Sequence, residues 1–210
     1  MGRAMATLGF TWSDFDVFKV EGFSERMGEI YARIRPRLIR LGDEIAPELA
    51  RKLHLEVFPH VARHARHTVN PPPETWCAFG PSARGYKRFG YLALCISGAG
   101  IHARAVVKSE ADNRAQMAAA IRRKAAELSR SLKGTRIGRY DGWDSVNLPA
   151  EVVASDEFWN DRALALDKKT GGLDVGFGWK ARDAIWLDRG ELLDAFRELE
   201  PLYRICRAVA

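Results

Sequence analysis

Cysteine is scarce in this chain, with three residues in 210: Cys77, Cys95 and Cys206. The count is odd and no two cysteines stand in CxxC spacing, which argues against a disulfide framework or a zinc ribbon. Cys77 and Cys95 lie in apolar runs and read as small buried hydrophobes. No apolar run nears the roughly 20 residues that cross a bilayer. The opening MGRAMATLGF has no apolar signal core, and no N-x-S/T sequon occurs. The expected location is the cytoplasm, with no membrane partner. A P-loop, a GxSxG motif and paired metal-binding cysteines are also missing, so no hydrolase nucleophile can be named.

What is present is an ordinary globular composition, 47% hydrophobic and 29% charged. A chain of this length can bury a large core without a metal or disulfide, and it reads as one domain over 1–210 with residues 1–8 as a loose leader. The formal net charge of +6 favours anionic partners, although the charges are spread along the chain. No feature sets an oligomeric state.

Trp12–Val20 reads as a short helix capped by Ser13. Ser24–Leu53 carries Met27, Ile30, Ile34, Leu38, Leu41 and Ile45 at helical spacing. Pro36 and Pro47 should kink or split it, and Gly42-Asp43 is the natural break. Thr75–Phe79 and Tyr91–Ile96 look like buried strands, and Gly98–Gly100 turns the latter into Ile101–Val107 as a hairpin. Ser109–Lys133 reads as a helix capped by Ser109 with Asp112 in the box position. Arg136–Arg139 suggests a short strand before a loop, RYDGWDSVNLP. A helix within Pro149–Leu166, a strand at Val175–Trp179 and a last helix from Asp188 to about Ile205, bent by Pro201, complete the chain. Strands that arrive as a hairpin rather than in βαβ alternation point to an α+β fold, a largely antiparallel sheet packed with helices.

The chemistry concentrates between Phe58 and Lys87. FPHVARHARHTVNPPPETWCAFGPSARGYK holds His60, His64 and His67, three of five histidines, interleaved with Arg63, Arg66, Trp76, Arg84, Tyr86 and Lys87. As a helix, residues 58–68 would set the three histidines on one face; as a strand, His60, His64 and Arg66 would share a face with Arg63 and His67 opposite. Pro59 and the prolines after Asn70 favour the strand. HxxxH on a helix could ligate a metal, but no carboxylate stands at ligand spacing and the arginines would repel a cation, so no metal and no cofactor is expected. An anion site fits better. Arginine offers a planar fork to carboxylate or phosphate, and aromatics stack flat rings. Gly85 allows a tight turn on which Arg84 and Lys87 converge. Gly98–Ala103 matches GxGxxA, but the following residues read as a strand, which excludes a dinucleotide fingerprint.

Three functions compete. The first is a small-ligand cleft lined by His60, His64, Arg63, Arg66, Asn70, Trp76, Arg84, Tyr86 and Lys87, binding a small anionic molecule, with His60 or His64 as acid or base if there is catalysis. The second is a nucleic-acid binder that adds the arginines of the first long helix and Arg122-Arg123-Lys124. The third is a partner-binding or self-protection protein without chemistry, using tryptophans such as Trp143.

These residues also carry a family resemblance. Gly9-Phe10 through Phe15–Phe18, IRPRL (Ile34–Leu38) with Leu41-Gly42, HVARHARHTVNPP, TWCAF, RGYK and the C-terminal PLYRI (Pro201–Ile205) resemble the YktB-like family of uncharacterised bacterial proteins. The resemblance implies a two-layer α+β sandwich, similar in architecture to biotin-ligase and class II synthetase catalytic domains, and no established reaction. Architecture does not transfer activity, and no synthetase motif is present. The family pattern has a basic residue where this chain has His67, which further disfavours a three-histidine metal site.

Overall fold

The computed structural model describes residues 6–64, 69–132, 137–141, 144–147 and 154–207. Their strands form one antiparallel sheet in the order β1-β2-β3-β4-β7-β5-β6. These are β1 (Phe58–Val61), β2 (Glu74–Gly80), β3 (Tyr91–Ser97), β4 (Gly100–Val107), β5 (Ile137–Asp141), β6 (Asp144–Asn147) and β7 (Leu173–Lys180). The stretch expected to be loop after Arg139 forms the β5–β6 hairpin instead. Its first strand, β5, pairs with β7, a partner remote in sequence, so no local pattern announces the hairpin.

Period-two alternation divides the sheet into two unlike faces. Cys77, Phe79, Leu92, Leu94, Ile96, Ile101, Ala103, Ala105, Val107 and Val175 turn to one side and join a single buried cluster running from Leu8 to Cys206. Helices α1 (Trp12–Asp16), α2 (Phe23–Glu29), α3 (Arg35–Leu53), α4 (Arg114–Arg123), α5 (Ala125–Ser131), α6 (Asp156–Asp167), α7 (Ala181–Ala184), α8 (Arg189–Glu198) and α9 (Glu200–Cys206) supply residues to the same cluster or rest against it. The opposite face carries a smaller group, Ala78, Tyr91, Ala93, Cys95 and Val106, with Trp76 and Tyr86 packed on it. The fold is α+β: a helical layer on one side of a sheet, and a mixed polar and aromatic surface on the other.

Several local expectations change for physical reasons. The leader is tied down from Thr7, which bridges to Asp188, and Leu8 donates its N–H to the Leu187 carbonyl at 2.9 Å. The cap of α1 is Thr11, whose hydroxyl and N–H both meet Asp14, rather than Ser13. The long helix does not break. A π turn, Ile30–Ile34, precedes Pro36, and its altered hydrogen-bond register accommodates the residue that has no N–H to donate. The helix then runs through Pro47 because Leu38, Leu41, Ile45, Leu49 and Leu53 are all buried along one side. Asn113 rather than Ser109 precedes α4, and Asp112 is taken by Arg88 instead.

Gly42 is a point of contact, not a break. A Cβ there would lie 2.9 Å from Cys77 Sγ and 3.1 Å from Pro59 Cβ. The bare backbone lets α3 approach β1 and β2 closely. Gly42→Ala is therefore expected to destabilise, because overpacking typically costs about 1–3 kcal/mol against about 1 kcal/mol gained in helix propensity. Thermal melting of Gly42→Ala and of Gly42→Ala/Cys77→Ala checks this. The single variant should melt lower and the double variant should recover part of the loss.

Candidate functional site

A cleft of about 860 Å³ opens along the outer edge of β1. Arg35, Ile39 and Asp43 of α3 form one wall; Pro59 through His64 form the edge; Trp76 and the turn Ala83–Lys87 form the other wall. The main chain sets this up. Ala62 donates its N–H to the Trp76 carbonyl at 2.9 Å. By antiparallel alternation His60 also turns its main-chain groups towards β2, while Pro59 and Val61 turn theirs away. Pro59 therefore places its missing donor on the open edge, where it breaks no ladder bond and hinders addition of a further strand. Gly85, at φ 64°, makes the left-handed corner that starts the 3₁₀ turn Tyr86–Arg88. Any side chain there would be strained.

The histidines are held apart in role. His60 Nε2 lies 2.8 Å from the Ser82 carbonyl, an acceptor only, so Nε2 carries the hydrogen and Nδ1 is the basic nitrogen of the neutral ring. Its ring stacks on Tyr86, with centroids 4.7 Å apart and planes 19° from parallel. His64 has a left-handed backbone, φ 50°. Its Nε2 is 3.0 Å from Thr75 Oγ1 and its ring meets Trp76 edge-on at 5.3 Å. A strained non-glycine residue beside a cleft is a common mark of a functional position. Trp76 donates from Nε1 to the Tyr86 hydroxyl at 3.2 Å. Burial pushes the Tyr86 phenol up, and the Trp76 bond only partly offsets this.

The charged groups differ in occupation. Arg35 donates to the Ala62 carbonyl at 3.0 Å and lies over the Tyr31 ring. Lys87 stands 3.7 Å from Glu110. Arg63 and Arg84 are exposed at the rim, and among the described residues neither guanidinium has a carboxylate partner. Of the residues expected from sequence, His60, Arg63, His64, Trp76, Arg84, Tyr86 and Lys87 all line the cleft. Asn70 is exposed and outside its lining. Arg66, His67 and Trp143 lie outside the described residues. Arg35, Ile39 and Asp43 were not anticipated. They come from a helix whose arginines look alike in sequence, and only its packing against β1 selects which of them face the cleft.

A second polar constellation sits on the same sheet face. Arg104 of β4 is buried, with its guanidinium 2.6 Å from Glu74 Oε2 and 3.3 Å from Asp174 Oδ2. Burial opposes its charge, but Asp174 and Glu74 hold its pKa well above the ordinary value. His102 is pushed down to about 4 by burial and by Arg104, so it stays neutral through the physiological range. Among the described residues no group of three or more His, Cys, Asp or Glu side chains could hold a metal, and no helix is long and apolar enough to cross a membrane.

Comparison with known proteins agrees with the residues that first suggested a family. A family described as a domain of unknown function, DUF1054, matches residues 10–203. A UPF0637 protein of Oceanobacillus iheyensis is 29% identical over 213 residues, covering 94% of this chain and 96% of the relative. One from Bacillus velezensis is 29% identical over 214 residues, covering 98% and 100%. One from Lysinibacillus sphaericus is 44% identical over 90 residues, 43% of each chain. The chain thus belongs to the DUF1054 family, the bacterial UPF0637 group that includes the YktB-like proteins it resembles in sequence.

Proposed function

We propose that the cleft along β1 binds a small anionic molecule bearing a phosphate or carboxylate. The observation that carries this reading is the pair of rim guanidiniums, Arg63 and Arg84, without acidic partners among the described residues beside an otherwise well-satisfied aromatic wall. A carboxylate or phosphate presents the acceptors that a guanidinium fork lacks there. Where the bound molecule reacts, His60 is the candidate acid or base, since its tautomer is set by Ser82 and leaves Nδ1 to exchange a proton. Three buried free thiols fit a reducing cytoplasm.

The nucleic-acid reading draws less support. Arg26 bonds the Val20 carbonyl, Arg33 pairs with Glu29, Arg37 with Asp14 and Arg40 with Glu44. On α4, Arg122 pairs with Asp167, and Lys124 just beyond it with Glu127. Arg33, Arg37, Arg40, Arg122 and Lys124 are thus already paired with carboxylates within the chain, which leaves them less available to a polyanion. Pro59 on the open edge likewise favours a small ligand over an added peptide strand.

Calorimetric titration with inorganic phosphate and with citrate tests the reading. The wild type should bind one or both, and Arg63→Glu/Arg84→Glu should weaken that affinity about 100-fold, two lost charge-assisted contacts at about 1.4 kcal/mol each. Both side chains are exposed, so the melting temperature should not move. Unchanged affinity in the double variant overturns the proposal. Failure of either anion to bind, with salt-sensitive binding of a single-stranded oligonucleotide, replaces it with the nucleic-acid reading.

A further inference from the structure

Lys108 directly follows β4. Its ammonium stands 5.9 Å from the centroid of the Trp76 ring, and that of Lys87 stands 6.0 Å from the same centroid. Two cations converge on one indole that also forms part of the cleft wall. Their convergence is built. Lys87 belongs to the turn Tyr86–Arg88, and Lys108 opens the link between β4 and α4. Arg88 cross-ties the two segments: its carbonyl accepts the Asp112 N–H at 2.8 Å, and its guanidinium meets the Asp112 carboxylate at 2.6 Å. An anion bound near both ammoniums would be attracted to each of them. Lys108 makes no direct ion pair among the described residues, although its charge acts on the Asp174 carboxylate. Lys87 has Glu110, at a loose 3.7 Å, contributed by the same link as Lys108.

We propose that Lys108 and Lys87, both beside the Trp76 ring, form a second anion subsite adjoining the cleft, and that Glu110 is its internal occupant when no ligand is bound. The proposal rests on the anion-binding reading of the cleft and deepens it. Together with Arg63 and Arg84 at the rim, this subsite selects ligands with more than one anionic group, of which a diphosphate-bearing molecule is the class with the best-matched chemistry. Ammonium groups on flexible stems suit the spread charge of linked phosphates, and guanidinium forks suit the terminal oxygens. The incoming phosphate displaces the Glu110 carboxylate from Lys87, so the internal salt bridge lowers affinity for the ligand by the strength of that exchange.

The proposal makes two variants act in opposite directions. Inorganic phosphate and pyrophosphate are titrated against the wild type, Lys108→Gln, Lys108→Arg, Glu110→Gln and Lys124→Gln, with melting temperatures checking the fold. Pyrophosphate should bind the wild type more tightly than phosphate. Lys108→Gln should weaken pyrophosphate binding about tenfold, and Lys108→Arg should restore most of it. Glu110→Gln should tighten it several-fold, and Lys124→Gln, a lysine on the far helical surface, should leave it unchanged. Should Lys108→Gln and Lys124→Gln weaken binding equally, only overall charge is at work and the subsite is wrong. Should Arg63→Glu/Arg84→Glu abolish binding while Lys108→Gln and Glu110→Gln leave it unchanged, the rim reading stands and the second subsite falls. If the wild type binds neither anion, citrate binding decides: its presence overturns the diphosphate class alone, its absence overturns both.

Discussion

Replacing Arg104 with leucine is expected to remove about 3–5 kcal/mol of folding stability, the usual cost of leaving buried charges without their partner. For a chain of this size that lowers the melting temperature by on the order of 10 °C. The reason lies in its neighbours. Arg104 is 2% exposed and lies between Ala93 and Gly176 in register. At Gly176 a Cβ would meet the Ala103 carbonyl oxygen at 1.9 Å, so no side chain can stand there. The small residues leave room for the guanidinium to reach both Glu74 and Asp174. Without it two carboxylates face each other on a water-poor surface. Leucine would restore the apolar bulk and none of the charge.

Asp174 supplies the control, because its sign is opposite. Burial pushes its carboxyl up to about 6 while Arg104 and Lys108 pull it down. A folded-state value above the unfolded value of about 3.9 means that ionisation costs stability: it is fully present at low pH and is lost as pH rises towards 6. Asp174→Asn is therefore expected to be neutral or mildly stabilising at pH 7.5, and its advantage should shrink as the pH falls below 6. Urea unfolding of both variants at pH 7.5 and pH 5 measures this. An Arg104→Leu protein as stable as the wild type would show that the buried cluster contributes nothing to the fold.

Asp14 carries the second large effect. It is 3% exposed and accepts from the Thr11 N–H at 2.7 Å, the Thr11 hydroxyl at 2.8 Å and Arg37 at 2.5 Å. Burial alone would raise its pKa, but the Thr11 and Arg37 contacts outweigh it and hold the carboxyl below the ordinary value. Asp14→Ala removes the carboxylate that holds the Thr11 cap of α1 and, with it, the tie to α3. The expected loss is about 3 kcal/mol, combining a lost cap with a broken, largely buried ion pair. A folded-state pKa below the unfolded one contributes stability that is present above about pH 4 and is lost as pH falls through the folded value. Wild type and variant should therefore converge in acid. Chemical unfolding at pH 7 and at pH 3 tests it: an equal difference at both would place the effect in packing rather than charge.

The candidate site was legible where chemistry is local. His60, Arg63, His64, Trp76, Arg84, Tyr86 and Lys87 stand within 28 residues of one another and line one cleft. Pro59 and the prolines after Asn70 favoured a strand over a helix without deciding between them, and β1 occupies Phe58–Val61 of that stretch. The apolar runs Tyr91–Ile96 and Ile101–Val107, joined by a short Gly-rich link, made the central hairpin readable, and Asp188 with Glu191 marked the start of α8, where the cap bond is 2.8 Å.

What the sequence could not decide depended on partners far away in the chain. Gly42 has the same local signature whether it ends a helix or lets one pass close to a sheet; only Cys77 and Pro59 across the interface choose between the two. The hairpin β5–β6 needs β7, and the role of Asp112 needs Arg88. Arg35 and Lys108 look like any solvated cation until α3 packs beside β1 and the Arg88–Asp112 tie brings Lys108 over Trp76. Sequence by itself determined that histidine, arginine and aromatic side chains crowd between Phe58 and Lys87, because residue type and spacing are local properties. Tertiary structure alone decided which cations among the described residues stand in ion pairs, because such a pair is made across the fold and leaves no mark in the order of the chain.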